Sequence, residues 1–126
     1  MNGDTTSLER FTGEAPAFSA LVGDVRGVST VRVRGEIDLA TVDALVEAIG
    51  RACSRLDGRP VACVDPRDVR FAGVVAVRAL VEQAEAMREL GGELRLILPD
   101  EGPVARVFEL LNAGARVPLY RDLPES

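Results

Sequence analysis

The chain contains no histidine, no lysine and no tryptophan. Without histidine it lacks the commonest general base at neutral pH and the commonest metal ligand. Without lysine it cannot build a P-loop, and no GxxxxGK[ST] run occurs. From Arg55 to Glu125 there is neither serine nor threonine. A serine or threonine nucleophile would have to come from the first half, with no histidine to activate it. Long apolar runs are absent too, and nothing approaches the roughly 18 residues of a membrane span. The start, Met1 to Thr6, has neither a basic segment nor an apolar one, so no secretory signal is expected. Cysteine is scarce: Cys53 and Cys63 sit inside apolar patterns with no CxxC spacing. They read as buried free thiols of a protein in a reducing, cytoplasmic compartment.

What remains is a chain of 126 residues, 47% hydrophobic and 28% charged, with a net charge of −5. That suits one globular domain with one core. Every basic residue is arginine, interspersed with acids rather than gathered in a stripe, which argues against a nucleic-acid partner. Residues 1–15 are polar and read as a mobile tail, leaving 16–126 as the domain.

The periodicity alternates between strand and helix. A short extended run spans Ala17 to Val22, and a turn falls at Asp24 to Gly27. Val28 to Arg34 alternates, with Val31 and Val33 on one side and Arg32 and Arg34 on the other, which predicts a strand with one wet face. Val42, Leu45, Val46, Ile49 and Cys53 form one helical stripe, capped by Asp38 or Thr41 and stopped at Asp57 to Pro60. Val61 to Val64 predicts a buried strand. A second helix runs from Val74 to Leu90, its stripe being Val74, Val77, Leu80, Val81, Ala84, Met87 and Leu90. Gly91 and Gly92 end it. Leu94 to Leu98 predicts a strand. Pro103 opens a third helix striped by Val104, Val107, Phe108 and Leu111, ended by Asn112 or Gly114. Val117 to Tyr120 predicts a last short strand. The order β-β-α-β-α-β-α-β implies an α/β fold, a mixed and mostly parallel sheet with helices packed on it.

Few groups are left for chemistry. The carboxylate pairs Asp65 with Asp68 and Glu36 with Asp38 suit Mg²⁺ or acid–base work, and equally suit loop caps and solvated charge. No cofactor fingerprint is present, and a non-enzymatic protein is expected.

Val31 to Thr41 (VRVRGEIDLAT) and Val64 to Phe71 (VDPRDVRF) together resemble the STAS domain family, the anti-sigma factor antagonists and related domains of sulphate transporters. The element order, the G-x-[LIV]-D motif after the second strand and the D-x-x-x-V-x-F segment carry the resemblance. Arg106 to Leu111 is similar to the family's third helix. The resemblance covers about residues 16 to 121. It implies that helix two usually begins D-S-S-G-[LIV] and that its second serine is phosphorylated by a partner which is both kinase and anti-sigma factor. Unphosphorylated, such a domain binds that partner and frees the sigma factor; a phosphate, adding nearly two negative charges, releases it.

Here the segment reads Gly73-Val74-Val75-Ala76-Val77, with Val75 at the place of the phosphorylated serine. By resemblance the contact surface gathers around Gly35 to Thr41 and Arg70 to Val77. Phe71 and Val75 would form its apolar centre, and Glu36, Asp38, Arg70 and Arg78 its rim, with Gly73 and Val74 at the helix start. On the stripe, Val74 is expected in the core and Val75 partly exposed. The expected function is a non-catalytic, protein-binding regulator of the anti-sigma factor antagonist type that lacks the phosphorylation switch. Its partner would be an anti-sigma factor or related serine kinase-like protein, and a homodimer is compatible. A STAS-type sensor or scaffold is the second reading.

Overall fold

The computed structural model describes residues 9–11, 18–54 and 61–122. Its elements are β1 (Glu9–Phe11), β2 (Ser19–Val25), β3 (Val28–Ile37), α1 (Val42–Ser54), β4 (Val61–Ala72), α2 (Val74–Glu89), β5 (Glu93–Ile97), α3 (Pro103–Leu110) and β6 (Leu119–Tyr120), with a 3₁₀ turn at Gly114–Arg116. They form a six-stranded sheet in the order β1-β2-β3-β4-β5-β6. The pairs β1/β2 and β2/β3 are antiparallel. The pairs β3/β4, β4/β5 and β5/β6 are parallel, as strand–helix–strand crossovers require. The expected α/β order is therefore present, with one addition. Glu9–Phe11, inside the stretch read as a tail, pairs with Val22 to Ala20 as a leading strand.

The chain reverses between β2 and β3 through Arg26 and Gly27, both at positive φ (51° and 83°). Two such residues form the hairpin turn whose twist matches that of the strands. Helices α2 and α3 end alike. Past α2, Gly91 takes φ 85° and the amides of Gly91 and Gly92 donate to Arg88 and Met87. Past α3, Asn112 takes φ 52°, and the amides of Asn112 and Ala113 donate to Glu109 and Phe108. Both are Schellman stops, in which orphan carbonyls of the last turn find donors. The expected stop of α1 at Asp57 to Pro60 lies outside the described residues.

The main core lies between the sheet and the helices. Val31, Val33, Val64, Leu94 and Leu96 point into it from the strands, and Leu45, Ile49, Val77, Leu80 and Phe108 from the helices. Arg32 and Arg34 are exposed, as their alternation predicts. The stripe of α1 is rotated from the expected one: Ala48 and Ala52 are fully buried, while Val46 and Cys53 are only partly so. Alanine carries little hydropathy signal, yet its small side chain lets α1 lie close against its neighbours. The opposite face of the sheet holds a smaller cluster of Val28, Cys63 and Ile97. Cys53 and Cys63 are both free thiols. Burial pushes the Cys63 thiol up to about 11, against a smaller lowering by the charge of Arg95.

Strand β4 is the main departure from expectation. It does not stop at Val64 but continues to Ala72. Its register against β3 slips between Arg32 and Arg34, and again between Gly35 and Glu36. Pro66, which has no amide to donate, sits in the first slip, where a bulge tolerates it. Asp65 secures that bulge. Its carboxylate accepts the Arg67 backbone amide (3.1 Å) and a two-pronged pair from the Arg67 guanidinium (2.9 and 3.0 Å). This bonding also strengthens the guanidinium's hold on its proton. The second slip turns Val69 and Ala72 into the core and leaves Arg70 and Phe71 facing solvent.

Candidate functional site

The C-terminal ends of β3 and β4 lie side by side, with Ile37 registered against Ala72. Just beyond them the chain turns into α1 on one side and α2 on the other. The two turns are joined, because the Gly73 amide donates to the Ile37 carbonyl at 2.9 Å.

The turn before α1 is built by Asp38 and Thr41. The Asp38 amide donates to the Thr41 hydroxyl oxygen (2.9 Å), and that hydroxyl donates to the Glu36 carbonyl (2.9 Å). Asp38 Oδ1 accepts the Ala40 amide (2.9 Å), and the Asp38 carbonyl accepts the amides of Thr41 and Val42. Asp38 therefore does serve the start of α1, while Thr41 is fully buried as a brace. These bonds push Leu39 outward, and it is 82% exposed.

The turn before α2 is bare. Gly73 is the N-cap residue, has no side chain to cap with, and the first turn holds no acid. A Cβ placed on Gly73 would meet only Ile37 O at 3.8 Å and a Phe71 ring carbon at 3.9 Å, so the backbone leaves room for a larger residue.

Between the two turns lies a shallow depression of about 660 Å³. Of the eight residues expected at the site, Asp38, Phe71, Gly73, Val74, Val75 and Arg78 line it. Glu36 and Arg70 do not: Glu36 is half-buried beside the turn, and Arg70 is exposed next to Phe71. Leu39 and Ala40 line it as well, and sequence reasoning singled out neither. The signal available for Leu39 was an apolar residue in a loop directly after Asp38. The exposed apolar surface here comes from Leu39, Phe71 (51% exposed) and Val74 (46%).

Of the two valines, Val75 is partly exposed as expected, and Val74 is not in the core. Val74 is exposed, and Val75 is half-buried and packed against the core. The stripe on a helix tells which side faces the sheet but not where the sheet ends. Val74 is the first helical residue and overhangs that end, just as Leu90, at the other end of the stripe, is 84% exposed.

The candidate carboxylate pairs do not converge. Asp65 is bound to Arg67, Asp68 is exposed opposite Arg34, and Asp38 holds its turn. Among the described residues no group of three or more potential metal ligands comes together.

A model of the STAS domain matches residues 22–126. The chain belongs to the STAS domain family. A curated relative, the anti-sigma-F factor antagonist RsfB of Mycobacterium tuberculosis, is 31% identical over 90 residues, which is 71% of this chain and 70% of the relative. The crystal structure of an anti-sigma factor antagonist from Mycobacterium paratuberculosis is 32% identical and superposes with a TM-score of 0.69 over 89% of this chain and 92% of that one. The anti-sigma factor antagonist SpoIIAA, in its unphosphorylated form, gives a TM-score of 0.59 over 83% of this chain and 89% of its own, at 15% identity. That last likeness is one of fold. This STAS domain thus has anti-sigma factor antagonists as relatives in both sequence and structure. Among the described residues no helix is long and apolar enough to cross a membrane.

Proposed function

We propose that this STAS domain is a non-catalytic regulator that docks an anti-sigma factor of the serine-kinase type, and that phosphorylation does not switch its binding. One observation carries the reading. The depression at the start of α2, where the family resemblance puts the switch serine, holds half-buried Val75 flanked by exposed Leu39, Phe71 and Val74. Such a face suits continuous protein contact, with apolar residues at its centre and charges at its edge. It offers a kinase no serine or threonine hydroxyl to modify. The relatives' names support an anti-sigma factor as the partner, and the family resemblance adds its serine-kinase type. The two free thiols and the lack of any histidine-based site accord with a cytosolic binding protein rather than an enzyme.

The test is titration calorimetry of the purified chain against serine-kinase-like anti-sigma factors from the source cell, with and without ATP. The expected outcome is binding of the same affinity in both conditions, with no phosphate on residues 55–125 by mass spectrometry. Release on adding ATP, or a phosphate in that segment, sinks the unswitched reading. Failure to bind any such factor sinks the partner class.

The sensor reading has its own observation. A second pocket of about 430 Å³ opens at the C-terminal ends of β5 and β6, lined by Leu98, Phe108, Asn112, Tyr120 and the Asp100–Arg121 ion pair. That volume and position suit a small ligand. Thermal shifts across a metabolite panel, lost in Phe108→Ala, would favour it.

A further inference from the structure

Arg78 lines the depression and is exposed, and among the described residues no ion pair or hydrogen bond holds it. Four arginines are matched, Arg67 with Asp65, Arg95 with Glu93, Arg116 with Glu85 and Arg121 with Asp100. Among the described residues Arg32, Arg34, Arg70, Arg88 and Arg106 are as unmatched as Arg78, but of these six only Arg78 lines the depression. The acid one turn along α2, Glu82, follows Arg78 in the less favourable order for a helical i,i+4 pair, and no such bond forms. On the other side the first turn of α2 is without acid, with Gly73 and Val74 as its opening residues. The depression's own carboxylate, Asp38, has Oδ1 engaged by the Ala40 amide.

An unmatched positive charge therefore stands at the edge of the apolar surface made by Leu39, Phe71 and Val74. A partner that covers those three side chains also strips water from Arg78. A guanidinium desolvated without a counter-charge opposes binding, whereas one met by a carboxylate gains a geometrically specific, two-pronged bond.

We propose that the occupant of this face is a protein segment presenting apolar side chains together with a carboxylate that pairs with Arg78. The proposal rests on the docking-face reading above and adds the partner's chemistry to it. The same logic explains why Gly73 matters here: an acid at that position would add a second carboxylate of the chain to the depression beside Asp38, in competition with the partner's.

The test selects binders to the full-length chain from a display library of random dodecapeptides and measures them against variants. The recovered peptides should be enriched in Asp and Glu over the starting library and should lose binding to Phe71→Asp. Arg78→Glu should weaken them about tenfold or more. Gly73→Asp should weaken them too, while melting no lower than wild type. Changing the peptide's Glu to Gln should weaken binding to wild type and have little further effect on Arg78→Glu. Peptides that depend on Phe71 but are neutral or basic overturn the carboxylate and leave the docking face standing; so do acidic peptides that bind Arg78→Glu as well as wild type. Recovery of no peptide sensitive to Phe71→Asp overturns the docking face and this inference with it.

Discussion

The Gly73 amide reaches the Ile37 carbonyl at 2.9 Å, so the last residue of β3 holds the residue on which α2 begins. This bond fixes the spacing of the two turns that flank the depression. Gly73 has φ −83°, close to the value a proline ring imposes, and a Cβ there meets nothing closer than 3.8 Å. Gly73→Pro should therefore remove the donor and also drive its ring carbon against the Ile37 carbonyl, which the amide now meets at 2.9 Å. The expected cost is about 3 kcal/mol or more by urea denaturation, with weaker partner binding. Gly73→Ala keeps the donor and should stay within about 0.5 kcal/mol of wild type. Equal stability of the two variants would show that the bond does not hold the junction.

Phe71 offers a cleaner handle on docking than the half-buried Val75. Its ring is half-exposed because the second slip of β4 turns it outward. Phe71→Ala should leave stability within about 0.5 kcal/mol and reduce partner affinity about tenfold or more, as truncation of a central interface aromatic does. Glu82→Ala, on the exposed side of α2, should change neither. Calorimetry of both variants, with melts alongside, decides it.

Val75 packs against the core. Val75→Asp should accordingly destabilise the fold by about 1–3 kcal/mol, since half of a charged group would be drawn from water. Val75→Ser should fold better, yet a kinase-type anti-sigma factor and ATP should phosphorylate it weakly at most, because Gly73, Val74 and Ala76 also differ from the D-S-S-G pattern. Stoichiometric phosphate on Val75→Ser would show that the serine alone restores the switch.

The Cys63 thiol keeps its proton to about 11 when folded, against an ordinary value of 9.0. As pH rises above 9 the unfolded chain ionises first. The stability that this shift contributes is fully present below pH 9 and is lost as pH climbs towards 11. The slope is at most about 1.4 kcal/mol per pH unit for one proton. Denaturation at pH 8, 9.5 and 11 should show this loss, and Cys63→Ala should lack that part of it. At pH 8 the folded chain should react with iodoacetamide at Cys53 before Cys63, because only Cys53 is partly exposed. Equal rates at the two sites would contradict the buried position of Cys63.

The helices, the alternation of β3 and the crossover order were legible from spacing, because burial on one face imposes a period on the residues that face it. The length of β4 was not. Asp65, Pro66, Arg67 and Asp68 break every strand period, and only the three-dimensional pairing of Asp65 with Arg67 reveals that they bridge a bulge. The exposure of Val74 was illegible for another reason: exposure at the end of a helix depends on where the neighbouring sheet stops. The depression joins Asp38 to Phe71 and Val75 across a crossover. Composition and spacing give no hint of that meeting, and only the likeness to a known family brought those segments together in advance.

The strands of the sheet lie side by side in the order in which the chain is made. Nothing has to be inserted between strands already paired, so a chain leaving the ribosome lays down the hairpin first and adds each later unit at one growing edge. Synthesis halted after Ala72 would present all of β4 as an unprotected border, without β5 to cover Val61 to Val64. Among the described residues the outermost strands, β1 and β6, are only three and two residues long, too short to recruit another sheet readily. Premature truncation of this gene product, more than most single substitutions, is the event expected to send it into aggregates.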